Sequence, residues 1–517
     1  MSTIIIVIKR RLYMRMDGNI TRVFYNPITI LVSLVAGLFF GVNYPLFSSK
    51  LFVYGELFIK IITLFSLPLF ITSVISSSAS LARFPKFKSH IFKILLFIML
   101  FTIISSVLGI ITGVVGKPGL GISNSFFSSS RVTSFEPLSL KKQAESLISS
   151  NIFLSILKSN LFVISIFSLL LGASVGAINF KKSETVFNFI DGISSGLLIV
   201  INWISFFTPL GVFCLIASSF SDLQLDVIKL SSNYILIFYI IGLIISLLGL
   251  IIIWGQSHQK FINVFIYTTK SLLLSLATPS PLVKLPFVIT VMSKKLKFDK
   301  ESTNLFLPLG FTFGNFGSSF FYSLTTIFIL QIYNIELSIG NLSFILLFSI
   351  LAGFLSINFG YLLIISMLYS LLKPFGIPLS TVASSIISIS VILFPIVSLI
   401  TTVLNMVCSS IISKPNSVDF IERELGVLLQ NTPVGVNLRS YFRGVEEEIA
   451  LINHDKTDLL KSVFPNAQIK IYKNWEQIKD SWLNGDVNII VGEKVDIEDI
   501  SYNIDGDTKF VLLKPKV

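Results

Sequence analysis

Leu307-Pro308-Leu309-Gly310-Phe311-Thr312-Phe313-Gly314-Asn315-Phe316-Gly317-Ser318 lies between long apolar segments and contains no acidic residue. Working outward, the apolar segments 260–297 and 339–376 are each interrupted midway. Pro279-Ser280-Pro281 breaks the first and Ser356-Ile357-Asn358-Phe359-Gly360 the second. Each reads as a helical hairpin that enters a membrane and turns back; two Pro-kinked spans are the plainer alternative. Irregular backbone at membrane depth is tolerated only where protein or a water-filled cavity surrounds it. Paired broken segments in two halves of a chain point to a solute site between them.

Composition supports a membrane setting. The 517 residues are 53% hydrophobic and 13% charged, with mean hydropathy +0.83, whereas soluble domains carry about 25% charged residues. Spanning the hydrocarbon core takes roughly 20 helical residues, and apolar runs of that order recur at 28–42, 91–115, 197–215 and 234–254. Helices are the expected spanning element because each satisfies its own backbone groups. The strict alternation of a membrane barrel strand is missing from these runs. Cys214 and Cys408 both sit in apolar stretches and are expected to pack as small hydrophobes. His90, His258 and His454 have no metal-ligand spacing.

Charge divides the chain into an expected basic cytoplasmic leader (1–25), a membrane domain (26–416) and a soluble α/β domain (417–517). The last part holds 17 acidic and 12 basic residues, against 11 and 28 before it. The excess of base therefore falls in short loops between apolar spans. It is a membrane-topology signal, with no aromatic-interleaved basic groove for nucleic acid. Spans are expected near 27–46, 52–79, 90–115, 150–180, 186–219 and 228–254. Lys9, Arg10, Arg11, Arg15 and Arg22, then Arg83, Lys86 and Lys88, then Lys181 and Lys182, then Lys294, Lys295 and Lys297 would be cytoplasmic by the positive-inside rule.

In the last hundred residues the pattern predicts a turn and strand at 432–436, a helix over about 445–463, a strand at 468–472, a helix at 475–483 and a buried strand at 487–491. Phe464-Pro465-Asn466-Ala467, Asn474-Trp475-Glu476 and Gly485-Asp486-Val487 resemble one lobe of the amino-acid-type solute-binding proteins. One lobe cannot close on a ligand alone, so docking or regulation is as reasonable a role as binding.

Several motifs resemble the glutamate/dicarboxylate:cation symporter family, in its order and near its spacing over about 26–415. They are Gly55-Glu56-Leu57-Phe58 with Leu67-Pro68, Lys117-Pro118-Gly119-Leu120-Gly121-Ile122, Pro209-Leu210-Gly211-Val212-Phe213, Leu307-Pro308-Leu309-Gly310 and Gly376-Ile377-Pro378-Leu379. The resemblance implies an all-α polytopic protein of eight transmembrane helices and two re-entrant hairpins arranged as inverted repeats. It also implies cytoplasmic termini, a homotrimer in the plasma (inner) membrane, and a transport domain that moves like an elevator. The stretch 307–318 would be the family's broken seventh span.

Carried over residue by residue, the resemblance places solute contacts at Ser280, Asn358, Ser398, Thr401 and Asn405. Cation ligands fall at Thr102, Gly310, Thr312, Gly314, Ser318, Asn405 and Ser409. The departures matter as much. Phe316 stands where the family has a cation-binding Asp, and Phe101 neighbours Thr102. Ser398 replaces an acid that holds a substrate amino group, Thr401 an Arg that pairs with a side-chain carboxylate, and Ser409 an Asp of a sodium site. Losing Arg removes a bidentate carboxylate clamp. Acids and bases look nearly absent from this half of the membrane domain, where any would be functional by default.

The expected function is secondary active transport of a small organic solute, amino-acid or carboxylate-like with a neutral side group. Coupling to sodium or proton would be weakened or altered, and no other cofactor is implied. The alternative is a non-transporting sensor or regulator acting through the C-terminal domain. An enzyme is not expected. Gly192-Ile193-Ser194-Ser195-Gly196 matches a nucleophile-elbow pattern, but lies in an amphipathic helical entry to a span rather than at a strand-to-helix turn. Glu56 and Asp191 fall at span edges, where solvated roles are expected.

Overall fold

The computed structural model describes residues 26–82, 87–122, 150–178, 180–221, 225–257, 259–356, 361–377 and 379–413, together with five strands beyond them. Contacts divide the chain into two units, Met1–Lys414 and Pro415–Val517.

The first unit is helical throughout its described residues. The helices before the first hairpin are α1 (Pro27–Asn43), α2 (Pro45–Lys50), α3 (Phe52–Ala82), α4 (Phe87–Gly116), α5 (Ile152–Leu157), α6 (Leu161–Ala177), α7 (Phe180–Ile204), α8 (Thr208–Ser219), α9 (Leu225–Leu230) and α10 (Ser232–Gln256). Then follow α11 (Phe261–Ala277), α12 (Pro281–Ile289), a π turn (Thr290–Lys295), α13 (Lys300–Phe313), α14 (Phe316–Ile332), α15 (Ile339–Leu355), α16 (Tyr361–Leu372) and α17 (Leu379–Ile412). Among the described residues, five segments have the length and apolarity to cross a membrane: Pro45–Ala82, Ser89–Gly116, Thr185–Ser219, Ser232–Gln256 and Ile389–Ile412. Helices α1, α6, α11 and α15 are shorter apolar elements of the same kind.

Local chemistry sets the boundaries. Asn26 accepts the Ile28 N–H and proline opens α1, as the first turn of a helix favours. The expected span at 150–180 is divided in two. Ser159 adopts a left-handed φ of 51°, and Asn151 and Asn160 each cap a new helix, α5 and α6. The capping asparagines compete with a continuous helix for the backbone N–H groups.

Burial orders these helices. All of α14 except Ser318 is buried, the mark of a helix surrounded by others. Helix α10 instead buries a stripe, Tyr234, Phe238, Gly242, Ile245 and Gly249, and exposes Leu236, Ile240, Leu243 and Leu247. That exposed face is apolar, as lipid requires. Tyr234 stacks on Phe328 of α14, with centroids 4.1 Å apart, and its hydroxyl lies 2.8 Å from Thr325 Oγ1. Helix α6 packs on α3, α14 on α4, and α10 on α17. Gln331 ties α14 to the end of α4: its Oε1 accepts the Gly119 N–H at 2.9 Å and its Nε2 donates to Gly113 O at 2.8 Å.

The second unit contains a five-stranded sheet: β1 (Leu425–Leu429), β2 (Glu448–Leu451), β3 (Gln468–Ile471), β4 (Ile489–Glu493) and β5 (Lys509–Val511). Its order is β3-β2-β4-β1-β5. Strand β2 runs parallel to β3 and β4, and β1 antiparallel to β4 and β5. Strands near 468–472 and 487–491 were expected. The helix expected over 445–463 is corrected in its described part: Glu448–Leu451 is a strand, paired on both sides with β3 and β4, and such pairing outweighs local preference; the rest of 445–463 lies outside the described residues. The segments 432–436 and 475–483 lie outside the described residues.

Candidate functional site

The site begins where α13 stops and α14 starts. Helix α13 ends at Phe313, and the Gly314 N–H closes its last turn on Gly310 O at 2.7 Å. Asn315 leaves the helical region at φ −84°, ψ 62°, and α14 begins at Phe316. A break of this kind strands backbone donors and acceptors, which within a membrane need protein partners. Helix α17 supplies them. Asn405 Nδ2 donates to Gly314 O at 3.0 Å, and Thr401 Oγ1 accepts the Gly317 N–H at 3.0 Å. The Thr401 hydroxyl hydrogen faces Val397 O at 3.0 Å and Asn315 Oδ1 at 3.2 Å.

The spacing 398, 401, 405 places these side chains on one face of α17, toward the break. Glycine is required opposite them. A Cβ at Gly317 would run into Val397 O, and one at Gly310 into Asn405 Oδ1.

The turn of the first hairpin reaches the same face. Helix α11 stops at Ala277, and α12 starts with Pro281 after the cap residue Ser280. The Ser280 N–H donates to Thr278 Oγ1 at 3.2 Å. Ser398 Oγ donates to Thr278 O at 3.0 Å, which fastens α17 to this turn. From the second hairpin, Ser356 O lies 3.5 Å from Asn315 Nδ2 and Ser356 Oγ 2.6 Å from the Tyr322 hydroxyl. Asn358 lies outside the described residues. Thr401 and Asn405 therefore hold the broken helix at Gly314–Gly317, while Ser398, on the same helix, holds the turn of the first hairpin at Thr278, two residues before Ser280.

The residues assigned to cations divide into two groups. Phe316 is fully buried, and its ring lies 6.1 Å from that of Phe101. Two aromatic rings thus lie together at the position of the resemblance's carboxylate. Nearby Thr102 donates to Ile98 O of its own helix at 2.7 Å. Thr312 donates to Pro308 O at 2.8 Å and meets Ser165 Oγ at 3.1 Å, so its hydroxyl is engaged with α6.

The second group is different. Asn405 Oδ1 and Ser409 Oγ are buried with no hydrogen-bond partner, four residues apart on one face of α17 and next to Gly310 and Gly314. Ser318, at the start of α14, is half-buried. Uncharged oxygens such as Asn405 Oδ1 and Ser409 Oγ suit sodium or a water; they supply no negative charge to hold an ion.

Two lysines stand as exceptions to the near-absence of acids and bases expected in this half. Lys284 of α12 is only 1% exposed. Its Nζ donates to Ser398 Oγ at 2.8 Å and lies 5.6 Å from the Phe311 ring centroid. Half-buried Lys270 of α11 donates to Ser205 Oγ at 3.2 Å and lies 5.2 Å from the Phe287 ring. The sequence signal was available: Lys284 is the sole charge in Pro281–Ile289, and an ionisable residue inside a membrane helix is a functional candidate by itself.

At the span edges, Glu56 pairs with Lys60 at 2.9 Å within α3, and Asp191 of α7 with Lys300 of α13 at 2.9 Å. Ser194 lies within continuous α7, its Oγ 3.4 Å from Ser73 Oγ, so the nucleophile-elbow geometry is not formed.

The sodium:dicarboxylate symporter family matches residues 27–414. A proton/sodium-glutamate symport protein of Bacillus caldotenax is 26% identical over 327 residues, which cover 60% of this chain and 76% of the relative. A C4-dicarboxylate transport protein of Bacillus subtilis (strain 168) is 22% identical over 319 residues, 61% of this chain and 75% of the relative.

Proposed function

Because the chain belongs to the sodium:dicarboxylate symporter family, and so is a multi-pass transport protein and not an enzyme, we propose that it moves a small carboxylate-like organic solute across the plasma membrane with altered cation coupling. The solute site is the junction of Ser280, Ser398, Thr401 and Asn405 with the broken helix at Gly314–Gly317. The relatives' glutamate and C4-dicarboxylate cargo sets the size class. The family match supports transport over a sensor role.

One observation carries the change in coupling: Phe316 and Phe101 fill with rings the position where the resemblance puts a carboxylate. A sodium ion leaving water needs compensation worth several kcal/mol, and neutral oxygens at Asn405 and Ser409 compensate it weakly. Thr401, whose hydroxyl is occupied by Gly317, Val397 and Asn315, leaves no charged clamp for a second carboxylate. The transport domain moves like an elevator, the protein works as a homotrimer, and both termini are cytoplasmic.

The test is binding and uptake by the purified full chain in proteoliposomes, with carboxylates carrying a neutral or an acidic second group. The neutral-group solutes should be preferred, and Thr401→Arg should shift preference toward the acidic ones. Tight dicarboxylate binding that changes at neither Thr401 nor Asn405 would refute this placement of the site.

A further inference from the structure

Lys284 has a chemistry that the fold does not account for. Its ammonium is buried, yet the neighbours it bonds or faces are neutral: a serine hydroxyl at 2.8 Å and an aromatic ring at 5.6 Å. Among the described residues no carboxylate comes within ion-pairing distance of it. An ammonium has three donors, and one is used. A buried charge without a counter-charge is strongly unfavourable, and proteins ordinarily pair it or coordinate it.

Its place in the chain sharpens the point. Lys284 is the fourth residue of α12, beside the N–H groups at the start of that helix, whose cap residue Ser280 makes no side-chain cap bond. A helix start carries partial positive charge, so ammonium and backbone favour the same sign of ligand. The one hydrogen bond from Lys284 leads to Ser398, and Ser398 is anchored to the hairpin turn through Thr278 O. The cation thus belongs to the solute junction itself.

We propose that Lys284 is the charge partner of the transported solute's carboxylate. The ammonium attracts an anionic group to the Ser398 side of the junction and repels a solute that presents its own ammonium there. Of the two solute classes that fit the family, amino acids and carboxylates without an amino group, Lys284 selects the second. This rests on the transport reading above, and it assigns the specificity to a residue of the first hairpin rather than to α17.

The experiment compares thermal stabilisation of the purified full chain by succinamate (one carboxylate and a neutral amide), by asparagine (the same skeleton with an amino group) and by succinamide (the same skeleton without charge). The variants are Lys284→Met and Lys284→Arg. Succinamate should stabilise the native protein at lower concentration than asparagine or succinamide. Lys284→Met should weaken the succinamate response by about tenfold or more, as loss of one partner of a buried charge pair does. Lys284→Arg should keep most of it, which a purely packing role would not predict. Equal responses to succinamate and succinamide, or an unchanged succinamate response in Lys284→Met, would overturn the proposal. So would stabilisation by none of the three. Uptake of an uncharged solute by vesicles of the same protein would in that case leave transport standing and remove the role of Lys284.

Discussion

Thr401 Oγ1 of α17 accepts the Gly317 N–H of α14 at 3.0 Å, so a helix that passes the break holds the first turn of the helix that starts there. The contact joins the two elements on which the solute junction is built. Thr401→Val removes the acceptor and leaves a buried N–H unpaired, at a cost of roughly 1–3 kcal/mol. Thr401→Ser keeps the oxygen and should retain most of the stability. Thermal unfolding of the two variants in detergent checks this; equal melting temperatures would show that the hydroxyl does not support the break.

Gly317 is a second point of closure. An alanine methyl group would meet Val397 O and Thr401 Oγ1, and overpacking of this kind costs about 1–3 kcal/mol. Gly317→Ala should therefore lower stability and solute uptake together. Gly192→Ala, in α7 with open space around it, should change neither. Uptake by Gly317→Ala equal to that of the native protein would show that α14 and α17 are free to separate at this point.

Orientation can be tested with single cysteines in a background where Cys214 and Cys408, both buried, are replaced by serine or alanine. Cysteines at Lys86 and at Asp419 should resist an impermeant reagent applied from outside intact cells. Labelling at Asp419 from outside would reverse the assignment of the C-terminal unit to the cytoplasm.

The sequence made the break legible because Gly310, Gly314, Asn315 and Gly317 are poor helix residues in an apolar run, and because the prolines around Ser280 punctuate the first hairpin. Ser398, Thr401 and Asn405 were named through the family resemblance, aligned on Asn405. Lys284 is legible as the sole charge of its helix, but the sequence did not reveal its contact with Ser398, 114 positions away. Nor did it reveal that Thr312 turns toward Ser165, since both hydroxyls can also bond within their own helices. Strand β2 was hidden for a related reason: its four residues are outweighed by the longer helical pattern beside them, and only the partners β3 and β4 decide the matter.

With Phe316 and Phe101 packed together and Ser409 neutral, sodium coupling is proposed to be altered in this member of the symporter family. Solute uptake into proteoliposomes, with the sodium gradient varied at fixed membrane potential and pH, decides the matter. Uptake should change little with the sodium gradient. A steep dependence, with several sodium ions moved per solute, would show that coupling is intact.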